Sequence, residues 1–239
     1  MIHLNEGMPM DPKSLPDEQR AIYEALNNSP MDYDFPSKDQ LKFEITMRTH
    51  ILQNARKIDE GDSEFSAFAD SRFNPAFWIK TPYGYELRRG RLPSDAIRDV
   101  FTNSALYSFE CVTTIVLIYY KSILDSIEPS IFNDLYSHLF IWGSNYNENL
   151  WMETYRGVDR IPGDVYYFYN PDYADPIWMG ENSVYMADDL YFGHGIGMVS
   201  HKKMIEALDT LRIEGAKKSA YLLNQVTRLN SARFYPYRR

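Results

Sequence analysis

The feature that most constrains the fold is an unbroken, largely apolar run from Glu110 to Ile127. Residues 112–118 are mostly β-branched, which suits a strand. The run is nevertheless too long for a typical strand, because no helix breaker interrupts it before Pro129. We therefore predict a central helix that begins near residues 108–110, is buried nearly all round, and ends at the proline.

Cys111, the only cysteine of the 239 residues, lies at the start of this helix. A helix N-terminus favours a thiolate and offers unpaired N–H groups to an oxyanion, so the position suits a nucleophile. The alternative is that Cys111 is a small buried hydrophobe, since free cysteine is often buried. Glu110 precedes the thiol but lies about 100° round the helix from it. It therefore suits local electrostatics or capping better than proton abstraction.

The overall charge and the start of the chain exclude several classes of protein. A net charge of −8 argues against nucleic acid as a partner, because phosphate binding needs a basic surface. A single cysteine permits no intrachain disulfide. Residues 1–16 lack the features of a secretory signal, and the longest apolar run is too short to span a bilayer. We expect a protein made and folded in the cytoplasm, with no membrane partner.

The pattern of the remaining elements predicts one α+β domain with a central, mainly antiparallel sheet and surrounding helices. Residues 1–16 are predicted to form a flexible arm, and residues 17–239 the single catalytic domain. Helices are expected at 17–27, from a Ser37 cap to about 59, from a Ser94 cap to about 102, and at 131–137, 201–213 and 216–230. Strands are expected in a hairpin at 77–87 and at 139–142, 151–155, 165–169, 180–186 and 190–199. The aromatic and basic tail, 234–239, is predicted to be exposed.

His194 is the histidine, among five, with the most informative surroundings. Alternation along the predicted strand 190–199 places it with Phe192 and Ile196 on the inward face. The glycines on either side fall on the other face, where something can pack against the backbone. The alternative is a satisfied core histidine without a chemical role.

The turn before this strand decides which polar residue meets His194. A two-residue turn at 187–188 places Glu181 directly across from it, and a turn at 188–189 makes the two diagonal neighbours. A three-residue turn brings Asn182 opposite His194 instead, and the site becomes Cys–His–Asn. The sequence leaves this register open.

Other kinds of site lack support in the sequence. No cysteine and histidine cluster has metal-ligand spacing. The run Gly193-x-Gly195-x-Gly197 falls within a predicted strand, whereas a nucleotide loop would join a strand to a helix.

Three stretches taken together resemble the spore-coat transglutaminases of Bacillus type, which are protein-glutamine gamma-glutamyltransferases. They are Phe109-Glu110-Cys111 with its apolar continuation, Gly180-Glu181-Asn182 leading to Tyr191–Gly197, and Gly215-Ala216 with Ser219–Gln225. The likeness covers most of the chain from about residue 35 and weakens over 143–160. The resemblance implies a fold similar to the NlpC/P60 branch of papain-like enzymes, with the catalytic cysteine at a helix N-terminus.

The resemblance also implies roles for particular residues. Cys111 would be the nucleophile, Glu181 its main acid/base partner, and Glu110 and His194 supporting residues. Candidate substrate contacts are Trp178, Asn182 and Phe68.

The implied reaction is cross-linking of glutamine and lysine side chains into isopeptide bonds through a Cys thioester, with release of ammonia. No calcium, other metal or cofactor is implied. The implied partners are spore-coat proteins, so the chain would be made in the mother cell, act at the coat during sporulation and be a monomer. Two alternatives remain: a papain-like peptidase or amidase that uses the same thiol, and a non-enzymatic, tyrosine-rich coat component in which Cys111 only packs.

Overall fold

The computed structural model describes residues 1–5, 10–157 and 159–239. The helices are α1 Asp17–Asn28, α2 Lys38–Asp59, α3 Pro93–Thr102, α4 Cys111–Ser126, α5 Pro129–Leu135 and α6 His201–Asp209. The strands are β1 Ile2–Leu4, β2 Tyr33–Phe35, β3 Glu64–Phe65, β4 Trp78–Thr81, β5 Gly84–Leu87, β6 Ser108–Phe109, β7 Phe140–Ile141, β8 Met152–Tyr155, β9 Val165–Tyr169, β10 Gly180–Ala187, β11 Leu190–Gly193, β12 Gly197–Ser200 and β13 Tyr221–Leu229. No helix in these ranges is long and apolar enough to cross a membrane.

The sheet that organises the molecule has six strands in the order β12-β11-β10-β9-β13-β8. Every pairing in it is antiparallel. Val184 and Phe192 on one face join the main core with α2 and α4, whereas Phe168 and Tyr191 on the other pack with residues of α6. The predicted mixture of helices with an antiparallel sheet is confirmed.

Helix α4 is the buried helix that the apolar run predicts. Thirteen of its 16 residues are buried, because it lies between the sheet and the other helices. It begins at Cys111 rather than at 108, since Ser108 and Phe109 form β6 and Glu110 is the N-cap. Length therefore decided correctly between helix and strand for a β-branched run.

The last predicted helix, 216–230, is wrong, because most of the segment is strand β13. This nine-residue strand fills the gap between β9 and β8 and pairs with both. Two neighbouring strands supply hydrogen-bond partners along much of its length, and this tertiary pairing outweighs local helix propensity.

The predicted strand 190–199 is in fact two strands joined by a tight turn. Gly195 and Gly197 have φ of +94° and +91°, and the Ile196 N–H donates to the Gly193 carbonyl at 3.1 Å. Glycine adopts this left-handed backbone without steric cost, so the glycines reverse the chain here. His194 therefore lies in a turn, and the strand alternation used to orient it does not apply.

Three helices also differ from the prediction at their ends, among them α5, which spans Pro129–Leu135 instead of 131–137. The cap of α3 is Leu92 rather than Ser94, whose N–H donates instead to Asn133 Oδ1 at 2.8 Å. Helix α6 ends at Asp209 rather than at 213.

The predicted exposure of the tail is wrong for Phe234 but confirmed for Pro236, Arg238 and Arg239. Phe234 is fully buried with its ring centroid 4.9 Å from that of Trp151. Arg239 donates to the Leu124 and Ile127 carbonyls at the end of α4, which lack helical partners. The tail thus closes the C-terminal end of the central helix.

The predicted N-terminal arm is docked wherever the structure describes it. Strand β1 pairs in parallel with β2, and Met10 is buried. Residues 6–9 of the predicted arm lie outside the described residues. Flexibility of the arm stays a prediction.

A buried carboxylate, Asp164, ties the helices to the sheet. It accepts from Arg48 of α2 at 2.7 Å and from Arg228 of β13 at 2.5 Å. The Asp164 side chain is fully buried and that of Arg48 is 4% exposed. Burial of these charges is tolerated because each is paired.

Candidate active site

The N-terminus of α4 is capped by the side chain of Glu110. Its carboxylate accepts from the Val112 N–H at 2.6 Å and from the Thr113 N–H at 2.9 Å. The Thr114 N–H donates to the Glu110 carbonyl at 3.0 Å. The first-turn donors expected to serve an oxyanion are therefore occupied, apart from the N–H of Cys111 itself, which Glu110 does not engage.

A second set of hydrogen bonds holds this cap in place. Thr113 Oγ1 donates to Glu110 Oε1 at 2.6 Å and accepts from the Gly143 N–H at 2.8 Å. Gly143 has φ of +53°, a conformation that glycine adopts readily. The loop at Gly143 thus positions the carboxylate beside the thiol. Neither Thr113 nor Gly143 carried a signal in the sequence.

The sulfur of Cys111 lies against the free edge of β10. Strand β11 pairs with β10 only from Ser183 onward, so residues 180–182 are not paired with β11. The sulfur is 4.0 Å from the Gly180 carbonyl oxygen, and Asn182 Nδ2 donates to it at 3.6 Å. Only 6% of Cys111 is exposed.

Burial determines the protonation of this thiol. It raises the pKa of Cys111 well above 9, and the charges of Glu181 and Glu110 raise it further. The backbone and side-chain N–H groups of Asn182 act in the opposite direction. The resting group is the thiol, contrary to the expectation of a helix-stabilised thiolate.

The hairpin between β10 and β11 has the third of the predicted registers. Ala187, Asp188 and Asp189 all have positive φ, and Ser183 pairs with Gly193. Extending this register places Asn182, not Glu181, opposite His194. The two-residue turn predicted at 188–189 is present, since Ala187 pairs with Leu190 across it, but a bulge between Tyr185 and Ala187 shifts the register by one residue to the one expected from a three-residue turn.

The pleat of β10 sends Asn182 and Glu181 to opposite faces. Asn182 shares its face with Val184, which packs in the core of α4. Glu181 lies opposite Phe168, which packs with α6. The two residues therefore flank the sulfur from either side of the strand edge.

Glu181 is fully buried, and neither carboxyl oxygen has a hydrogen-bond partner in the described part of the chain. Its side chain passes over Gly193, where a Cβ would lie 2.7 Å from Glu181 Cγ. Burial, with the charge of Glu110, raises the pKa of Glu181 well above 4.5, against a weaker effect of the His194 backbone N–H. The carboxyl is within electrostatic reach of the thiol but does not hydrogen bond to it.

His194 packs against the rings of Phe65 and Phe109, and Phe109 lies two residues before Cys111. Its Nε2 lies 3.2 Å from the Glu64 carbonyl oxygen, and its ring centroid is 4.9 Å from that of Phe109. Burial lowers the pKa of His194 to about 4, so the ring is neutral. Within the described residues, no hydrogen bond links its side chain to Cys111, Glu181 or Asn182, so the Cys–His–Asn chain is not assembled.

Aromatic side chains surround the strand edge. Trp178 stacks on Phe65 with ring centroids 4.5 Å apart, just before Gly180. Phe68 packs against Trp142, with ring centroids 4.8 Å apart. Lys80 Nζ donates to the Phe68 carbonyl at 2.8 Å and to the carbonyls of Ala69 and Ser71. These bonds fix the turn at Phe68.

Tyr167 is a further neighbour that the sequence reasoning missed. Its hydroxyl would lie 2.4 Å from a Cβ added to Gly180. Burial raises the pKa of Tyr167 to about 12. Pairing of Tyr167 with Asn182 could have revealed it, had the order of strands been known.

Two cavities border the aromatic residues. One, of about 290 Å³, is lined by His194, Phe65 and Asp59, and the other, of about 450 Å³, by Trp178, Phe65 and Glu64. In the described ranges, no group of three histidine, cysteine or acidic side chains stands close enough to hold a metal ion.

The arrangement can support acyl transfer to a thiol. It combines a nucleophile, a carboxyl whose raised pKa brings it closer to neutral pH, and donors at the sulfur. Aromatic rings limit the access of water. A substrate must first displace part of the cover over Cys111.

Comparisons with known proteins agree on one family. The model of the family described as protein-glutamine gamma-glutamyltransferase matches residues 1–238. A protein of that name from Halalkalibacterium halodurans is 36% identical over 215 residues, which are 89% of this chain and 76% of the relative. One from Bacillus cereus is 34% identical over 217 residues, 90% of this chain and 79% of the relative.

The fold resembles a solved structure of the same kind. This is a transglutaminase from Geobacillus stearothermophilus without its C-terminal extension, with a TM-score of 0.82 and 42% identity. The match covers 85% of this chain and 99% of the other.

Proposed function

The chain belongs to the protein-glutamine gamma-glutamyltransferase family, and from this premise we propose that it cross-links glutamine and lysine side chains through a thioester on Cys111. The enzyme is an acyltransferase, and its substrates are proteins that bear these two side chains. The observation that carries the proposal is the position of Cys111, at the head of α4 and against the free edge of β10.

The first half of the reaction consumes the glutamine. The thiol gives its proton to a base, and the sulfur attacks the side-chain carboxamide carbon to form a C–S bond. The C–N bond then breaks, and the leaving nitrogen takes up a proton and departs as ammonia. In the second half, a neutral lysine amine attacks the thioester, and the sulfur leaves and regains a proton.

We assign the proton transfers to Glu181. Its pKa is raised by burial, so its ionised fraction is a stronger base than an exposed carboxylate, and its protonated form can donate to the leaving nitrogen. The absence of a hydrogen bond to the thiol at rest is compatible with this role, because catalytic contacts often shorten only with substrate bound.

Glu110 and His194 have supporting roles in this proposal. Glu110 caps α4 and places a negative charge beside the thiol. His194 packs on Phe109 and Phe65 and so fixes the wall behind the sulfur. Trp178 would exclude water from the thioester, which must react with an amine instead. Phe68 would contact substrate farther from the sulfur.

The finer parts of the proposal rest on the resemblance in sequence. They are the NlpC/P60 type of core, spore-coat proteins as substrates, action at the coat, a monomeric enzyme and activity without calcium. Amine incorporation that is unchanged by a calcium chelator, from a protein that sediments as a monomer, would support the last two.

The decisive test is incorporation of a labelled primary amine into a glutamine-bearing protein. We expect Cys111→Ala to abolish incorporation, Glu181→Ala to lower it by roughly 10²–10⁴ through loss of the general acid–base, and His194→Ala to lower it less. Thr114→Val, in the same helix and equally buried, is the control. Incorporation by Cys111→Ala at the wild-type rate would overturn the proposal. Conversion of the glutamine to protein-bound glutamate with release of ammonia, but without amine incorporation, would indicate the amidase alternative.

A further inference from the structure

We propose that Asn182 is a catalytic residue whose side-chain amide, together with the backbone N–H of Cys111, binds the oxyanion formed when the thiol attacks the carboxamide. This inference rests on the proposed function, since it requires Cys111 to be the nucleophile. It assigns to a side chain a task that the sequence reasoning gave to the helix N-terminus.

Most of the N–H groups at the start of α4 already have hydrogen-bond partners. The N–H groups of Val112 and Thr113 are held by the Glu110 carboxylate, and that of Thr114 by the Glu110 carbonyl. Releasing the carboxylate would also break its bond to Thr113 Oγ1. The helix can therefore offer an oxyanion only the N–H of Cys111 without losing its cap.

The side chain of Asn182 lies next to the sulfur of Cys111. Its Nδ2 is already in hydrogen-bond contact with the sulfur, at 3.6 Å. In the tetrahedral intermediate the oxyanion is separated from the sulfur by one carbon atom. A donor that contacts the sulfur at rest is consequently within reach of this oxygen after attack.

The pleat of β10 points the side chains of Asn182 and Glu181 to opposite faces of the strand. Asn182 faces the α4 side, whereas Glu181 faces the α6 side, so the two approach the sulfur from different directions. Glu181 is then free to exchange protons with the thiol and the leaving nitrogen while Asn182 holds the oxygen. Neither group displaces the other during the reaction.

The test compares two reactions of the same thiol in the Asn182→Ala variant. Amine incorporation passes through an oxyanion, whereas alkylation of Cys111 by iodoacetamide does not. We expect kcat for incorporation to fall by about 10²–10³ with little change in KM, as for loss of one oxyanion donor. Alkylation at the pH of the incorporation assay is expected to fall by at least about tenfold less than incorporation, because it loses only the Asn182 hydrogen bond to the sulfur and forms no oxyanion.

Ser183→Ala is the matched control. Ser183 is the next residue of β10, equally part of the strand and fully buried, but its hydroxyl points to Met204 of α6. We expect both reactions to proceed at nearly the wild-type rate in this variant. Thermal unfolding of both variants checks that each is folded.

Two outcomes would overturn the proposal. Equal losses in incorporation and alkylation would mean that Asn182 only positions the sulfur or stabilises its thiolate. Unchanged incorporation would mean that the oxyanion is held elsewhere. Either result leaves the proposed function standing, since that depends on Cys111→Ala.

Discussion

At the scale of single residues, burial disfavours the charged forms of three groups in the site. Burial raises the pKa values of Cys111 and Glu181 and lowers that of His194 to about 4. The sequence drew attention to all three. Their protonation could not be predicted, because it depends on a depth of burial that only the packed structure reveals. Glu110 caps α4, as its position suggested, and so occupies the Val112 and Thr113 N–H groups that were expected to bind an oxyanion.

Glu110→Gln tests this electrostatic assignment. Because the negative charge of Glu110 raises the pKa of the Cys111 thiol, its removal should lower that pKa. The pH profile of Cys111 alkylation, followed by mass spectrometry on the single cysteine, should therefore shift to lower pH. Glu214→Gln, an exposed change of the same kind, should leave the profile unaltered. A shift of Glu110→Gln to higher pH would contradict the assignment.

At the scale of elements, the segment from β10 to β12 positions most of the site. The bulge beside its two-residue turn at 188–189 sets which residue of β10 lies opposite His194, and the turn at Gly195 moves His194 off the strand. The sequence offered the correct register among three but could not choose it, since no residue pattern marks the bulge between Tyr185 and Ala187. Strand β13 could not be predicted from its own residues either, because the strands it pairs with, β8 and β9, are remote in sequence.

Gly193→Ala is expected to disturb this segment. The added Cβ would lie 2.7 Å from Glu181 Cγ and 3.0 Å from Met204 Cε, so the carboxyl must move. We expect a loss of about 1–3 kcal/mol in the free energy of unfolding, as for other overpacked sites. Urea denaturation measures that loss, and amine incorporation should fall with it because Glu181 is displaced.

Gly157→Ala is the comparison for this variant. A Cβ there meets its nearest neighbours at 3.3 Å, so a small adjustment suffices. If the two variants were equally stable and equally active, the close contact over Gly193 would have no consequence for Glu181.

At the scale of the whole molecule, a helical layer and a sheet are joined by a small number of buried charges. Asp164 connects α2 to β13, and so links elements that are far apart in the chain. The fold class was predictable from the lengths and spacing of the elements. The ion pairs of Asp164 were not predictable, because neither Arg48 nor Arg228 differs from other arginines in its sequence surroundings.

Asp164→Asn should be strongly destabilising. It leaves Arg48 and Arg228 without their shared counter-charge, and loss of one partner of a buried ion pair typically costs about 3–5 kcal/mol. Chemical denaturation gives the free energy of unfolding. The exposed substitution Asp134→Asn should cost little. A stability equal to that of the wild type would show that the charges are dispensable.

The closed state of the thiol has a consequence for the lifetime of the enzyme. A protonated sulfur that is 6% exposed reacts slowly with peroxide, because oxidation begins from an accessible thiolate. No second cysteine is available to trap it as an intrachain disulfide. The same burial that would restrict the approach of a glutamine side chain in the proposed reaction therefore also protects the Cys111 thiol from oxidation in air.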